Sequence, residues 1–136
     1  MRVTIGAKYF KRPITSLMTT SFAPRPLRQA LTNLVKNGWD ACVAAGGSPA
    51  VVVETKQEKN FATIRISDAG TGMSAEVSER AGQPFFTTKA VGLGMGLGVF
   101  VARSVTERLG GTLTIESILG KGTTVQMTLP VANTTP

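Results

Sequence analysis

The sequence contains no histidine and a single cysteine among its 136 residues. The absence of histidine excludes imidazole as a general acid or base, as a member of a serine-type triad and as a metal ligand. The one thiol, Cys42, cannot form an internal disulfide, and it has no second cysteine or histidine with which to build a zinc site. The chemistry of this chain must therefore come from other side chains and from its backbone.

The sequence also lacks an apolar run of the roughly 18 to 20 residues that a membrane-spanning helix requires. The longest candidate, residues 91–102, is short and interrupted by glycine. Residues 1–12 place charges inside their apolar stretch, which a secretory signal does not do. These features predict a cytoplasmic domain that makes no membrane contact itself, and they leave open a parent protein anchored in the inner membrane.

Glycine and positive charge are in excess, with 15 glycines and a formal net charge of +7. An apolar fraction of 42% and a charged fraction of 17% are those of one globular domain with a single core. The positive charge favours anionic partners, which include nucleotides and acidic protein surfaces as well as nucleic acids. Because the charges are scattered and no basic stripe with interleaved aromatics is present, we expect no nucleic-acid binding.

Hydrophobic periodicity predicts the order of the elements. An amphipathic helix is predicted for residues 26–45, because their apolar side chains fall on one stripe and Gly46 follows as an end signal. Residues 3–7 indicate an edge strand and residues 8–26 a loop. The other predicted elements are a hairpin of strands 50–55 and 61–67, a short helical turn capped by Ser74, a mobile loop at 82–96, a helix at 97–109 and a hairpin of strands 112–117 and 123–129.

This order predicts an α+β two-layer sandwich, in which about three helices cover one face of a mixed sheet of about five strands. Residues 26–130 are expected to form the core. Residues 1–25 would add an N-terminal strand and loop to the same domain, and residues 131–136 would be a C-terminal tail. Cys42 lies on the apolar stripe of the first helix and should be buried. Trp39 lies off that stripe, which leaves open a place under the N-terminal segment or on a partner surface.

Two asparagines stand out on the first predicted helix. Asn33 and Asn37 are four residues apart and therefore share one face, with Asp40 one turn further on. Carboxamide oxygens can complete a Mg²⁺ shell that phosphates and waters already supply, and the amide hydrogens can donate to phosphate oxygens. The alternative interpretation is a pair of solvated surface residues.

The segment 68–73, Asp-Ala-Gly-Thr-Gly-Met, follows a predicted strand. Asp68 would end the strand, and the two glycines after it would let backbone approach a flat ligand closely. A carboxylate accepts a hydrogen bond from an exocyclic amine, which would select adenine over guanine. The alternative interpretation is a strand-ending turn in which Asp68 is only a cap.

The run 92–98 alternates glycine with apolar residues and precedes a predicted helix. Its amides and the helix N-terminus would form an anion site suited to phosphates, and Lys89 just upstream would supply a cation. The run has neither the lysine and hydroxyl ending of a P-loop nor a preceding strand, so it fits neither that motif nor the dinucleotide fingerprint. A flexible linker is the alternative.

Together these segments resemble five sequence boxes, termed N, G1, F, G2 and G3, of the ATPase superfamily that includes gyrase, Hsp90, histidine kinases and MutL. The likeness covers residues 26–130 and implies the Bergerat ATP-binding fold. The matching segments are NLVKNGWDA at 33–41, DAGTGM at 68–73, PFFTTK at 84–89, GLGMGLG at 92–98 and GT at 122–123.

Within that superfamily, the gyrase, Hsp90 and MutL branches generally have a glutamate at the position of Asn33. A glutamate can take a proton from attacking water, whereas a carboxamide cannot. Asn33 therefore resembles the histidine-kinase form, which spares ATP from hydrolysis and passes its γ-phosphoryl group onward. The segments 84–89 and 92–98 look closest to the proteobacterial sensor kinases of nitrogen regulation and redox control.

The resemblance implies a role for each matching residue. Asn33 and Asn37 would be catalytic, with Asn37 as the Mg²⁺ ligand, and Asp68 would bond the adenine amine. Further nucleotide-binding residues would be Asp40, Ala41, Gly70, Gly72, Met73, Lys89, Gly92, Gly94, Gly96, Leu97 and Thr123, of which Gly92 to Leu97 form the phosphate lid and Thr123 supports the adenine end.

Two positions depart from the family pattern. Gly82 stands where many kinases have the first phenylalanine of the F box, and Asp40 stands where many have a lysine that helps to bind phosphate. Lys89 is expected to supply the phosphate cation in its place.

The implied function is that of a sensor histidine kinase domain, which binds ATP and Mg²⁺ and phosphorylates a histidine on a separate dimerisation domain. The phosphoryl group would then pass to the receiver domain of a response regulator. Because the chain has no histidine, it is expected to be a catalytic fragment, monomeric when isolated. Two alternatives stay open, an anti-sigma-factor serine kinase of the same superfamily, which usually has glutamate at position 33, and an ATP-sensing module without catalysis.

Overall fold

A computed structural model describes residues 2–6, 25–58, 60–83 and 98–130 of the chain. The predicted strands and helices are all present, with bounds that differ from the expected ones by one or two residues. In chain order they are strand β1 (Arg2–Gly6), helix α1 (Arg25–Ala44), strands β2 (Ala50–Gln57) and β3 (Phe61–Asp68), helices α2 (Ala75–Arg80) and α3 (Gly98–Arg108), and strands β4 (Thr112–Ile118) and β5 (Gly122–Pro130).

The five strands form one sheet in the order β1-β2-β3-β5-β4. Every neighbouring pair in it is antiparallel. The α+β sandwich with about five strands is confirmed, but the expectation of a mixed sheet is wrong for these strands. Strands β3 and β4 do run in the same direction, yet β5 returns from β4 through a tight hairpin and lies between them. Among the described strands that are joined through a helix, only β3 and β4 run parallel. Because β5 lies between them, they are not neighbours in the sheet.

Helices α1 and α3 pack against each other and against one face of this sheet. Alternate strand residues point to that face, because successive side chains of a strand point to opposite sides. The hydrophobic core lies between the two layers and contains Leu27, Ala30, Leu34, Val35, Val51, Val53, Ile66, Ala102, Val105, Leu113, Val125, Met127 and Leu129. The short helix α2 has no buried residue and contacts β4.

Three smaller predictions concern single residues. Ser74 caps α2 as expected, because its hydroxyl accepts a 3.2 Å hydrogen bond from the backbone N–H of Val77. Cys42 is buried, and its thiol donates to the carbonyl oxygen of Ala50 at 3.4 Å. Trp39 is partly buried against the hydrophobic core, and its two expected places, under the N-terminal segment or on a partner surface, stay predictions. Its indole is large enough to reach the core from the side of the apolar stripe.

Within the part of the chain that the structure describes, no helix is both long and apolar enough to cross a membrane.

The β4–β5 hairpin offers a matched test of the core. Leu113 is 8% exposed and Leu119, at the hairpin turn, is 69% exposed. We expect Leu113→Ala to lower the free energy of unfolding by about 2 to 5 kcal/mol, because it leaves a cavity in the core. Leu119→Ala should change it by less than about 0.5 kcal/mol. Urea unfolding of both variants measures the difference, and equal losses would contradict the described packing.

Candidate functional site

The two asparagines of α1 lie one turn apart beside its buried stripe. Leu34 and Gly38 are buried on that stripe, whereas Asn33 and Asn37 are half-buried next to it. Asp40 is also half-buried and lies one turn after Asn37. The helix is therefore held by its apolar side chains while the carboxamides line the edge of the covered face, as the sequence pattern predicts.

Helix α1 lies very close to the end of β3. A Cβ atom added at Gly38 would lie 3.2 Å from Cγ2 of Val51 and 3.3 Å from Oδ2 of Asp68. Glycine at this position therefore lets the helix backbone rest against the strand end. The contact places the carboxylate of Asp68 beside α1, at the residue that follows Asn37.

The turn after Asp68 touches α1 as well. A Cβ atom at Gly70 would lie 2.5 Å from the carbonyl carbon of Ala41, a separation that real side chains do not show. The backbone N–H of Thr71 donates to the carbonyl oxygen of Ala41 at 3.3 Å. Gly70 and Ala41, both predicted site residues, are thus brought into direct contact, and the G1 segment is anchored to the N segment.

The carboxylate of Asp68 has an unusual environment. Desolvation by burial raises its pKa above the ordinary value of 3.8, against the opposing effect of backbone N–H groups of Gly70 and Thr123. The N–H of Gly70 donates to Oδ1 at 2.9 Å. A half-buried carboxylate of this kind gains from a further donor, such as the exocyclic amine of a bound base.

The other end of the site lies at the start of α3. A Cβ atom at Gly98 would lie 3.2 Å from Nδ2 and 3.8 Å from Oδ1 of Asn37, and 3.6 Å from Cβ of Asn33. The asparagine pair therefore borders the N-terminus of α3. Unpaired N–H groups and the helix dipole make such an N-terminus favourable for anions.

Several predicted site residues lie outside the described residues. They are the F-box segment 84–89 with Lys89, and Gly92, Gly94, Gly96 and Leu97 of the glycine-rich run. Their expected roles as phosphate cation and phosphate lid stay predictions.

Residue 82, where the sequence departs from the family pattern, adopts a conformation that favours glycine. Its φ is +99°, and a Cβ atom there would lie 2.5 Å from Nη1 of Arg103 on α3. The guanidinium group of Arg103 therefore occupies the space that a side chain at position 82 would need. A phenylalanine at this position would have to displace it.

Ser117 was not predicted from the sequence, yet its hydroxyl joins two turns of the candidate site. Its hydroxyl accepts from the backbone N–H of Met73 at 2.7 Å, donates to the carbonyl oxygen of Gly122 at 3.1 Å and lies 2.7 Å from Oγ1 of Thr123. One side chain thus joins the G1 turn to the G3 turn. From the sequence, only the position of Ser117 opposite Thr123 in the predicted hairpin could have indicated this link between the two turns.

No cluster of three or more His, Cys, Asp or Glu side chains that could hold a metal is found among the described residues. A divalent cation here would need oxygens from elsewhere. The carboxamide of Asn37 beside the anion-favouring helix end fits a cation that arrives with phosphate oxygens and waters.

One family model covers most of the chain. The model described as "Histidine kinase-, DNA gyrase B-, and HSP90-like ATPase" matches residues 23–133. This range contains every predicted site residue.

The chain is also similar to several curated proteins. It is 35% identical over 107 residues to the sensor protein FixL of Bradyrhizobium diazoefficiens. This match covers 79% of this chain and 21% of FixL. It is 37% identical over 109 residues to the sensor histidine kinase ZraS of Escherichia coli K12, and this match covers 79% of this chain and 22% of ZraS. It is 35% identical over 105 residues to sporulation kinase C of Bacillus subtilis, with 77% and 23% covered. The chain thus spans less than a quarter of the length of these three relatives.

A solved structure shares the fold. The crystal structure of full-length ShkA in complex with AMPPNP is similar with a TM-score of 0.68 and 23% identity. The likeness covers 82% of this chain and 22% of ShkA. At this level of identity it supports the common architecture.

The half-buried carboxylate of Asp68 predicts a pH dependence of stability. A carboxyl whose pKa is higher in the folded chain than in the unfolded chain binds more protons when folded. The free energy of unfolding therefore falls as pH rises from the unfolded pKa through the raised folded pKa of Asp68. Asp68→Asn keeps an oxygen that can accept from Gly70 and removes the buried charge. We expect the variant to be more stable than the wild type, and by more near pH 7 than at about pH 3.

Urea unfolding at both pH values measures this difference. Glu116→Gln, which removes an exposed carboxylate from β4, serves as the control for a general change in net charge. A stability gain from Asp68→Asn that is the same at both pH values would contradict burial as its cause.

Proposed function

The chain belongs to the histidine kinase-, DNA gyrase B- and HSP90-like ATPase family, and on that premise we propose that it is the ATP-binding catalytic domain of a sensor histidine kinase. It binds Mg·ATP and transfers the γ-phosphoryl group to a histidine on a separate dimerisation domain. A response regulator receiver domain then takes the phosphoryl group. The names of three relatives, a sensor protein, a sensor histidine kinase and a sporulation kinase, support this proposal.

One observation carries the proposal. A single helix, α1, contacts the half-buried carboxylate of Asp68 through Gly38 and borders the N-terminus of α3 through Asn37. An acceptor for an amine and a site for anions therefore lie along one helix. A nucleoside triphosphate has a base at one end and phosphates at the other, so it matches both parts.

At the base end, Asp68 accepts a hydrogen bond from the exocyclic amine of adenine. Gly70, Gly72 and Met73 supply the backbone beside the base, and Thr123 supports it from strand β5, where it is the register partner of Asp68. A 6-oxo purine presents an acceptor to the same carboxylate, and a site built to receive a donor rejects such a base.

At the phosphate end, Asn37 provides a neutral oxygen ligand for Mg²⁺, which neutralises phosphate charge during phosphoryl transfer. Asn33 lies one turn earlier and donates to phosphate oxygens, while Asp40 and Ala41 complete the N segment. Lys89 supplies a cation, and Gly92, Gly94, Gly96 and Leu97 form a lid over the phosphates.

Position 33 favours a kinase over a hydrolase. A carboxamide cannot take the proton of an attacking water. Asn33 therefore leaves ATP intact until an acceptor side chain arrives, and the nucleophile must come from the partner domain. In a histidine kinase that nucleophile is an imidazole, which this chain does not contain.

A phosphotransfer experiment tests the proposed function. The chain is incubated with ATP labelled at the γ-position, with and without a separate histidine-bearing dimerisation domain from a sensor kinase of the family. We expect no stable label on the chain alone and acid-labile label on the added domain. Stable label on the isolated chain would contradict the proposal. Transfer to a serine of a small antagonist protein would identify a serine kinase, and tight ATP binding without any transfer would identify a nucleotide-sensing module.

The role of Asn37 can be tested by binding alone. Asn37→Ala is expected to weaken Mg·ATP binding by about tenfold to a hundredfold, because it removes an oxygen ligand and a donor to charged groups. Asn60→Ala, at the exposed turn between β2 and β3, is the control and should leave affinity unchanged. Isothermal titration calorimetry measures both, and an unchanged affinity of Asn37→Ala would overturn its assigned role.

A further inference from the structure

Ser117 belongs to a polar row that crosses three neighbouring strands. Asp68 on β3 is the register partner of Thr123 on β5, and Thr123 is the register partner of Ser117 on β4. Register partners of an antiparallel sheet point their side chains to the same face. Asp68 faces Gly38 on α1, so the whole row lies under the helix layer at the end of the sheet.

The hydrogen bonds of Ser117 determine which way its hydroxyl proton points. A serine hydroxyl has one proton to donate and two lone pairs with which to accept. The N–H of Met73 can only donate, and the carbonyl oxygen of Gly122 can only accept. All three hydrogen bonds form together only if Ser117 gives its proton to Gly122 and accepts one from Thr123. The 2.7 Å contact between the two hydroxyls is then donated by Thr123.

With Thr123 as the donor to Ser117, the hydroxyl proton of Thr123 points to Ser117 and its lone pairs point away. The hydroxyl proton of Thr123 is occupied, so its oxygen can serve a ligand or a bridging water only as an acceptor. Next to it, Asp68 is also an acceptor. The base end of the site therefore presents two acceptors side by side, which match the two hydrogens of an exocyclic amine.

We infer that Ser117 is a positioning residue for base specificity, which holds Thr123 as an acceptor beside Asp68. The inference rests on the proposed binding of ATP and assigns Ser117 no contact with the nucleotide. Without the Ser117 hydroxyl, Thr123 is free to rotate and to donate its proton. It can then donate to the 6-oxo group of a purine, which the intact row rejects. The N–H of Met73 also loses its partner.

The test compares ATP with inosine triphosphate, whose base has a carbonyl in place of the amine at carbon 6. Calorimetry gives the affinity of each nucleotide, in the presence of Mg²⁺, for the full chain and its variants. We expect the wild type to prefer ATP, and Ser117→Ala to reduce that preference by about fivefold to tenfold, the equivalent of one hydrogen bond. A purely structural role would weaken both nucleotides equally, and an unchanged ratio would overturn the inference.

A matched control lies one residue along the same strands. Ser67 and Thr124 form a hydroxyl pair at 3.2 Å and are register partners on the opposite face of the sheet. Ser67→Ala should keep the wild-type preference, and a loss of preference there would overturn the inference. Thermal unfolding of each variant shows that it is folded.

Thr123→Val keeps the inference falsifiable if Ser117→Ala does not fold. This variant removes the acceptor itself and should lower the preference for ATP to a similar degree, and an intact preference would overturn the inference. In a double variant, Ser117→Ala should add no further loss to Thr123→Val, because both act through the same hydroxyl. A wild type that binds neither nucleotide would instead contradict the proposed function, and one that binds both equally would contradict the base selectivity on which the inference rests.

Discussion

The close approach of helix α1 to the end of strand β3 is the contact on which the rest of the site depends. Gly38 on the helix and Gly70 on the turn after the strand have no side chains, and at Gly70 a Cβ atom would overlap the backbone of Ala41. Folded cores are packed too tightly to absorb such an overlap. The two glycines therefore set the distance between Asp68 and the asparagine pair, and any larger residue would push the two ends of the site apart.

This contact has an electrostatic cost. It half-buries a carboxylate, and desolvation raises the pKa of Asp68 despite two backbone N–H groups that favour its charged form. A protein selected for stability alone would place an uncharged residue there. In the proposed function, the same burial would make the carboxylate a selective acceptor, since a ligand amine would regain hydrogen bonding that water cannot fully provide. Stability and the proposed recognition would thus oppose each other at one side chain, as is common at functional sites.

The β4–β5 hairpin also stabilises the turn that follows Asp68. Gly120 donates its N–H to the carbonyl oxygen of Thr71 at 2.7 Å, and Ser117 receives the N–H of Met73. The G1 turn is therefore tied to α1 on one side and to the hairpin on the other. The core side chains of β5 are buried, with Met127 at 0% exposure, so the hairpin is itself packed into the hydrophobic core. The proposed base end of the site is formed by three elements that are distant in sequence.

Local patterns determined much of the fold and indicated the candidate site residues. Apolar spacing and glycine positions located the helices and hairpins, and the combination of Asn33, Asn37 and Asp68 indicated a nucleotide site before any contact was known. Those signals are local, since each depends on residues within a few positions of one another. The order of strands in a sheet is not a local property. Local patterns therefore led us to expect a mixed sheet, whereas the described sheet is antiparallel. The strand order depends on β5 entering between β3 and β4.

The sequence by itself thus determined which elements form, which side chains are candidates for the chemistry and which family they resemble. Only the tertiary structure decided how those side chains meet. The proximity of Asn37 to the N-terminus of α3, the burial of Asp68 and the three hydrogen bonds of Ser117 all arise between distant segments. Ser117 and Met73 are 44 residues apart along the chain. Periodicity and propensity act within one element, whereas these contacts exist only after the elements have packed together.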